Sequence, residues 1–314
     1  MSARLRPTSR RRALVAVGTT AVLALVLAAC GGSGDDAMSG MHHGTKTSVS
    51  ASPTAPSTTA GTGHGGHDMD AMKETASDDG LAAQKDGYRL GAAASALPAG
   101  AAAAYRFTIA GPDGKPVTDF AVDQTKRLHF YAIRSDLTGF QHLHPTMAAD
   151  GTWAAPLAAL KPGTWRMYAS FTPASGPGKG EDLVLSTTAT VPGTASDTAL
   201  PKASGTTAVD GYTVTVTGRP TSGTASPLTV TITRASKPVT DLQPYLDTYA
   251  HLTAFHAGDQ ALAHLHPETV VSSGQGGPSL TFHAELPKSG DWRLFLQFQT
   301  AGTLHTAALT LNVG

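Results

Sequence analysis

Six histidines recur in two matched sets. His129, His142 and His144 are separated by 13 and then 2 positions, and His251, His264 and His266 repeat both spacings. The last two of each set belong to the tetrapeptide His-Leu-His-Pro. On an extended strand residues i and i+2 project to one face, so His-x-His offers two imidazoles to a single ion. The first histidine of each set falls in the preceding apolar run, "RLHFYAI" or "YAHLTAFH". An antiparallel hairpin with an even loop would bring it to the same face and leave three nitrogens converging around an open coordination position. The same pattern also admits a structural reading, because a His-Pro step can end a strand and a buried histidine can satisfy backbone carbonyls. Two titratable rings on one face nonetheless cost more desolvation than Val, Ile or Phe would in a purely packed core.

A second group lies nearer the N-terminus. "MSGMHHG" supplies Met38, Met41, His42 and His43, and "GHGGHDMDAMK" supplies His64, His67, Met69 and Met72. Thioether sulfur suits Cu(I) and imidazole suits Cu(II), Zn(II) or Ni(II), so a mixed Met/His segment points to copper first and zinc second. The remaining histidines of the second repeat, His256, His283 and His305, have no counterparts in the first and are expected to be structurally satisfied. Other chemistries find little support. There is no nucleophile elbow, no His-Glu-x-x-His and no phosphate loop, and Asp150 and Glu268, which follow the two motifs, do not correspond in position. The expected role is therefore binding and not catalysis.

The single cysteine, Cys30, closes a leader. Arg4, Arg6, Arg10, Arg11 and Arg12 precede an uncharged run from Ala13 that ends in "LAAC", the layout of a secretory signal. The ending resembles a bacterial lipobox, which implies cleavage before Cys30, a lipid on its sulfur and attachment to the outer face of a membrane. With that cysteine lipidated, no disulfide or Cys-ligated metal site remains for the folded part. Five of the 23 basic residues fall in the leader, leaving 18 against 23 acidic, a net charge of −5. That balance disfavours nucleic acid as a partner.

The elements that must position these residues come in two copies. "DGYRLG" at Asp86 matches "DGYTVT" at Asp210, "KPVTDF" at Lys115 matches "KPVTDL" at Lys237, and "GTWRMYASF" at Gly163 matches "GDWRLFLQF" at Gly290. Lys126 to Pro145 and Thr248 to Pro267 align without a gap, with six of 20 positions identical. Each copy alternates apolar and polar residues over short runs: Tyr105, Phe107 and Ile109 share one face, as do Tyr212, Val214 and Val216. Trp165 and Trp292, at equivalent positions, are expected to fill the two cores. The reading is an all-β chain of two tandem immunoglobulin-like or cupredoxin-like β-sandwiches, about seven strands each, behind a lipoprotein tail. Its boundaries are a signal peptide over 1–29, a disordered Met/His-rich tether over 30–85, sandwiches over 86–193 and 207–314, and a linker over 194–206. At random-coil dimensions the tether would span about 40 Å.

The phrases "LHFYAIRSDLTGFQHLHP", "DGTWAAPLAALKPGTWRMYASFTP", "LQPYLDTYAHLTAFHAGDQALAHLHPE" and "GDWRLFLQFQTAG" resemble those of actinobacterial tandem-domain secreted lipoproteins, and more distantly the YtkA-like and CopC-like extracytoplasmic β-sandwiches. The resemblance implies a folded, surface-located protein. CopC-like domains carry copper through an arrangement that includes an N-terminal histidine, and here the mature N-terminus would be Cys30. Two functions follow: a membrane-anchored copper-binding or handover protein, or a surface interaction module for an envelope protein partner in which the His-x-His-Pro motifs are structural.

Overall fold

The computed structural model describes residues 79–268, 271 and 274–314, and these lie within one compact unit. The leader, Cys30 and the Met/His segment fall outside the described residues, as do the side chains of His264 and His266. Among the described residues every regular element is a strand, and no helix is long and apolar enough to cross a membrane.

The first domain contains β1 (Gln84–Lys85), β2 (Tyr88–Ala92), β3 (Ala103–Ala110), β4 (His129–Arg134), β5 (Gln141–Leu143), β6 (Thr146–Met147), β7 (Trp153–Leu157), β8 (Gly163–Phe171) and β9 (Leu183–Val191). They form two layers in the orders β1-β2-β3-β7-β6 and β5-β4-β8-β9. The second domain repeats the plan with β10 (Thr206–Val209), β11 (Tyr212–Thr217), β12 (Ser226–Arg234), β13 (Lys237–Pro238), β14 (Ala250–His256), β15 (Leu262–Pro267), β16 (Ser279–Ala284), β17 (Gly290–Thr300) and β18 (Thr303–Val313). Both are antiparallel sandwiches of the immunoglobulin type, each with nine strands where about seven were expected; the additional ones are two- to four-residue pieces at hairpins and edges.

The His-x-His-Pro motif sits where a strand changes layers. In the first domain β5 pairs with β4 and β6 pairs with β7, so the chain crosses between sheets at His144-Pro145. In the second the crossing is continuous: residues 262–265 of β15 pair with β14, and His266 and Pro267 pair with β16. Proline has no amide hydrogen to donate, which suits the point where one ladder is abandoned for another.

Alternation along the strands fills each core. Tyr105, Phe107, Ile109, Trp165 and Met167 lie in the first core and Val214, Val230, Phe282 and Trp292 in the second. The two tryptophans plug these cores as expected, and each indole donates a 2.9 Å hydrogen bond to a carbonyl four residues back, at Lys161 and Lys288. A third apolar cluster lies between the domains. Phe130 and Ala132 of β4 face the first core, while Tyr131 and Ile133 face outward and pack with Tyr168 against Phe255, Leu262 and Phe295. Phe140 stacks on Phe295 with ring centroids 4.3 Å apart. The outer face of the first domain's β5-β4-β8-β9 layer is thus covered by the face of the second domain that carries β14 and β17.

Residues 79–85, expected at the end of a disordered tether, are structured. Asp79 is buried, its carboxylate lies 3.0 Å from the Lys288 ammonium, and its carbonyl accepts from the Leu262 amide; Gln84 and Lys85 then open β1. A backbone and a charge satisfied by the second domain explain why this stretch leaves the unstructured state that its composition suggests.

Candidate metal centre

Strand register brings the first histidine set together. Tyr131 pairs with His142 and Phe130 with Leu143, so continuing the register puts His144 opposite His129, all on the outward face of β4 and β5. The ring centroids are 5.3 Å apart for His129 and His142, 5.1 Å for His129 and His144, and 4.8 Å for His142 and His144. One nitrogen from each ring lies within 4.8 Å of the others. His129 Nδ1 and His142 Nε2 are separated by 3.0 Å. Two imidazole ligands on a tetrahedral ion at about 2.0 Å would stand roughly 3.3 Å apart, so this spacing fits a shared ion.

The outer nitrogens bear on how the inner ones are oriented. His129 Nε2 faces the Asp123 carbonyl at 3.2 Å, and His142 Nδ1 faces Gln297 Oε1 at 2.7 Å. A carbonyl only accepts, so each outer nitrogen carries the hydrogen and each inner one a lone pair. In that tautomer the two inner nitrogens, 3.0 Å apart, both point a lone pair at the space between them, where a cation would be held. His144 Nε2 is buried without a hydrogen-bond partner among the described residues. Carbonyl support behind a ligating imidazole fixes its tautomer and orientation.

The cluster is also held neutral, the form that binds metal. Burial lowers the pKa of His129, partly offset by the hydrogen bond and charge of Asp123. Burial drives His142 well below the usual histidine value, against the hydrogen bond that it donates to Gln297 and together with repulsion from His144, His129 and His251. His144 falls to about 3, through burial first and then the charges of His129, Lys126 and His251.

The second set is described in part. His251 is 1% exposed, and its Nε2 lies 3.0 Å from the Tyr245 carbonyl, as His129 Nε2 lies beside that of Asp123. Both carbonyls belong to two-residue hairpin turns with positive φ at both central positions, Gln124 (44°) and Thr125 (69°), and Leu246 (53°) and Asp247 (57°). This is the type I′ geometry that usually calls for Asn-Gly. Holding four non-glycine residues there costs about 1–2 kcal/mol each, and it aims a carbonyl at the first histidine of each set. The backbone of His264 lies opposite Thr253 and that of His266 opposite His283. The His251 and His142 rings approach across the domain junction, centroids 6.0 Å apart.

The unmatched histidines are engaged elsewhere. His256 lies between Asp259 at 2.8 Å and the Ser289 carbonyl at 3.1 Å, and His305 between Asp210 at 2.8 Å and Thr300 Oγ1 at 3.0 Å. His283 is exposed, 3.7 Å from Glu268. Asp150 accepts from the Thr152 amide in a turn. Sequence reasoning missed Gln297, the two turn carbonyls and Tyr131, whose ring stacks on His142 at 4.6 Å. Of these Gln297 left the clearest signal, as a polar residue on the outward face of the apolar run "LFLQF".

One family, described as Domain of unknown function (DUF8832), matches residues 83–188 and again residues 207–314. The chain belongs to the DUF8832 family. The two matched stretches correspond to two copies of one domain, the first carrying His129, His142 and His144, the second His251, His264 and His266. Comparison with curated proteins gives no match. Among solved structures, the Escherichia coli adhesin FdeC is similar at 18% identity over 74% of this chain and 65% of that one, with a TM-score of 0.23. InvD of Yersinia pseudotuberculosis is similar at 16% identity over 73% and 58%, with a TM-score of 0.24. A Salmonella alpha-2-macroglobulin variant is similar at 14% identity over 72% and 14%, with a TM-score of 0.23. The matched region spans less than two thirds of each of these proteins.

Proposed function

We propose that this DUF8832 protein binds a transition-metal ion outside the cytoplasm, copper first and zinc second, at the His129, His142 and His144 cluster. The observation that carries the reading is the convergence of three imidazoles held neutral, two of them with their outer nitrogens committed to carbonyls. An all-imidazole donor set suits Cu(II) or Zn(II). The softer Met38, Met41, His42, His43, His64, His67, Met69 and Met72 suit a capture arm for Cu(I), delivering ions to a site tethered near a membrane by lipid on Cys30. The role is carriage or handover, with no catalytic step assigned.

A second reading is a surface-displayed interaction module in which the histidines only cement the two domains. The cross-domain hydrogen bond from His142 to Gln297 and the Phe140–Phe295 stack favour it. Competition titrations of Cu(I), Cu(II) and Zn(II) on the full chain separate the two. The metal reading expects binding tighter than micromolar that is lost in a His142→Ala, His144→Ala double variant and kept when the eight Met/His residues of the arm are replaced. Binding that follows the arm alone, or none better than micromolar, overturns the domain site and leaves the interaction module.

A further inference from the structure

We infer that the metal site is bipartite: the second domain contributes Gln297 as a positioning residue and His251 as a fourth imidazole, so that ion binding and domain docking are one coupled equilibrium. This rests on the metal-binding reading above.

Gln297 reaches across the junction from β17. It is 5% exposed, its amide nitrogen lies 3.4 Å from Thr306 Oγ1, and its oxygen faces His142 at 2.7 Å. Without the second domain the His142 N–H would lose this acceptor, the ring would be free to turn, and its inner lone pair would no longer be fixed toward His129. The first domain offers no equivalent in return. Ser170 pairs with His129 as Gln297 pairs with His251, yet a serine side chain is too short to span the junction, and Ser170 lines a cavity of about 90 Å³ together with His129 and Asp123.

His251 flanks the three-histidine cluster from the second domain. Its Nε2 faces both the Tyr245 carbonyl and Thr248 Oγ1 at 3.0 Å, so the ring is held from the same nitrogen as that of His129, whose Nε2 faces the Asp123 carbonyl. The ring stands 6.0 Å from that of His142, and its proximity contributes to the lowered pKa of both His142 and His144. Around this polar end the junction is apolar, through Tyr131, Ile133, Tyr168, Phe255 and Phe295. Imidazoles and an amide sealed beside such a surface must satisfy one another or hold an ion. An ion bound by residues of both domains stabilises the docked arrangement, and by linkage docking tightens the ion to the same degree.

The test titrates copper alone and zinc alone into the full chain, comparing wild type with Gln297→Asn, Gln297→Glu and His251→Ala. Asparagine withdraws the acceptor by one methylene, whereas glutamate keeps it. Gln297→Asn is expected to weaken binding about 10- to 100-fold, Gln297→Glu to restore it, and His251→Ala to weaken it at least tenfold, with ion-free circular dichroism unchanged in all three. If wild type binds and all three variants bind equally well, the site belongs to the first domain alone and the inference falls while the metal reading stands. Failure of glutamate to rescue removes the positioning role of Gln297. No binding by wild type overturns both.

Discussion

Lowering the pH in the presence of a chelator should destabilise the ion-free protein, and replacing His144 with alanine should remove a defined share of that loss. The His144 pKa falls to about 3 in the folded chain, chiefly through burial. An unfolded histidine titrates near 6.5. The unfolded state therefore takes up this proton first, so stability is intact above about pH 6.5 and falls until the folded pKa is reached. Each unit between the two values is worth about 1.4 kcal/mol per group. From pH 6.5 to pH 5 the fall is about 2 kcal/mol for His144, and water reaching the partly buried ring reduces it to about 1–2 kcal/mol. His129 and His142, both also lowered, add losses of the same sign. Urea unfolding at a series of pH values gives the slope directly, and the His144→Ala slope below pH 6.5 should be shallower by up to one proton. Parallel slopes for wild type and variant would refute the claim that folding holds this imidazole neutral.

Saturating the protein with Cu(II) or Zn(II) at about a hundred times the dissociation constant should add about 2.7 kcal/mol. For a unit of this size that raises Tm by roughly 5–11 °C, and a thermal scan showing no shift for either ion would count against a folded-state site. Arg134 is 3% exposed and donates to the Pro162 and Ser196 carbonyls and to Asp136 and Asp197. Arg134→Ala should cost about 3 kcal/mol in denaturant unfolding, because Asp136 loses its ionic partner and keeps only the hydrogen bonds from Thr138 and Thr198. Gly139 has φ of +71°, and a Cβ there would run into the Trp165 ring. Gly139→Ala should cost about 2–4 kcal/mol, with altered tryptophan fluorescence.

Much of the fold could be read because a strand with one buried face alternates. Tyr105, Phe107 and Ile109, and their counterparts from Tyr212 onward, lie where alternation puts them. The shared face of His129, His142 and His144 was legible for the same reason, since His-x-His fixes parity and the even hairpin loop carries it across. The domain junction was not. Every residue of β4 is buried, and a strand covered on both sides reads as a continuous apolar run whose second covering could come from anywhere. The turns at Gln124-Thr125 and Leu246-Asp247 were hidden more deeply. Gln124-Thr125 contains none of the glycine, asparagine or aspartate that announces positive φ, and Leu246-Asp247 offers only Asp247, so the carbonyls that orient His129 and His251 were weakly signalled at most. The layer change at His-Leu-His-Pro shows that the motif serves as both a crossing point and a pair of same-face rings, so the two readings of the tetrapeptide were never exclusive.

The unequal pair Ser170 and Gln297 has a consequence for how such a protein can change. Were the two sandwiches identical subunits of a homodimer, every substitution would appear on both sides of the dyad, and an amide that steadied one imidazole would be duplicated whether or not the other side had room for it. Joining the copies in one chain removes that constraint. One copy is free to specialise in ligands and the other in supporting them, and a single substitution at either position can retune the junction without a mirrored change.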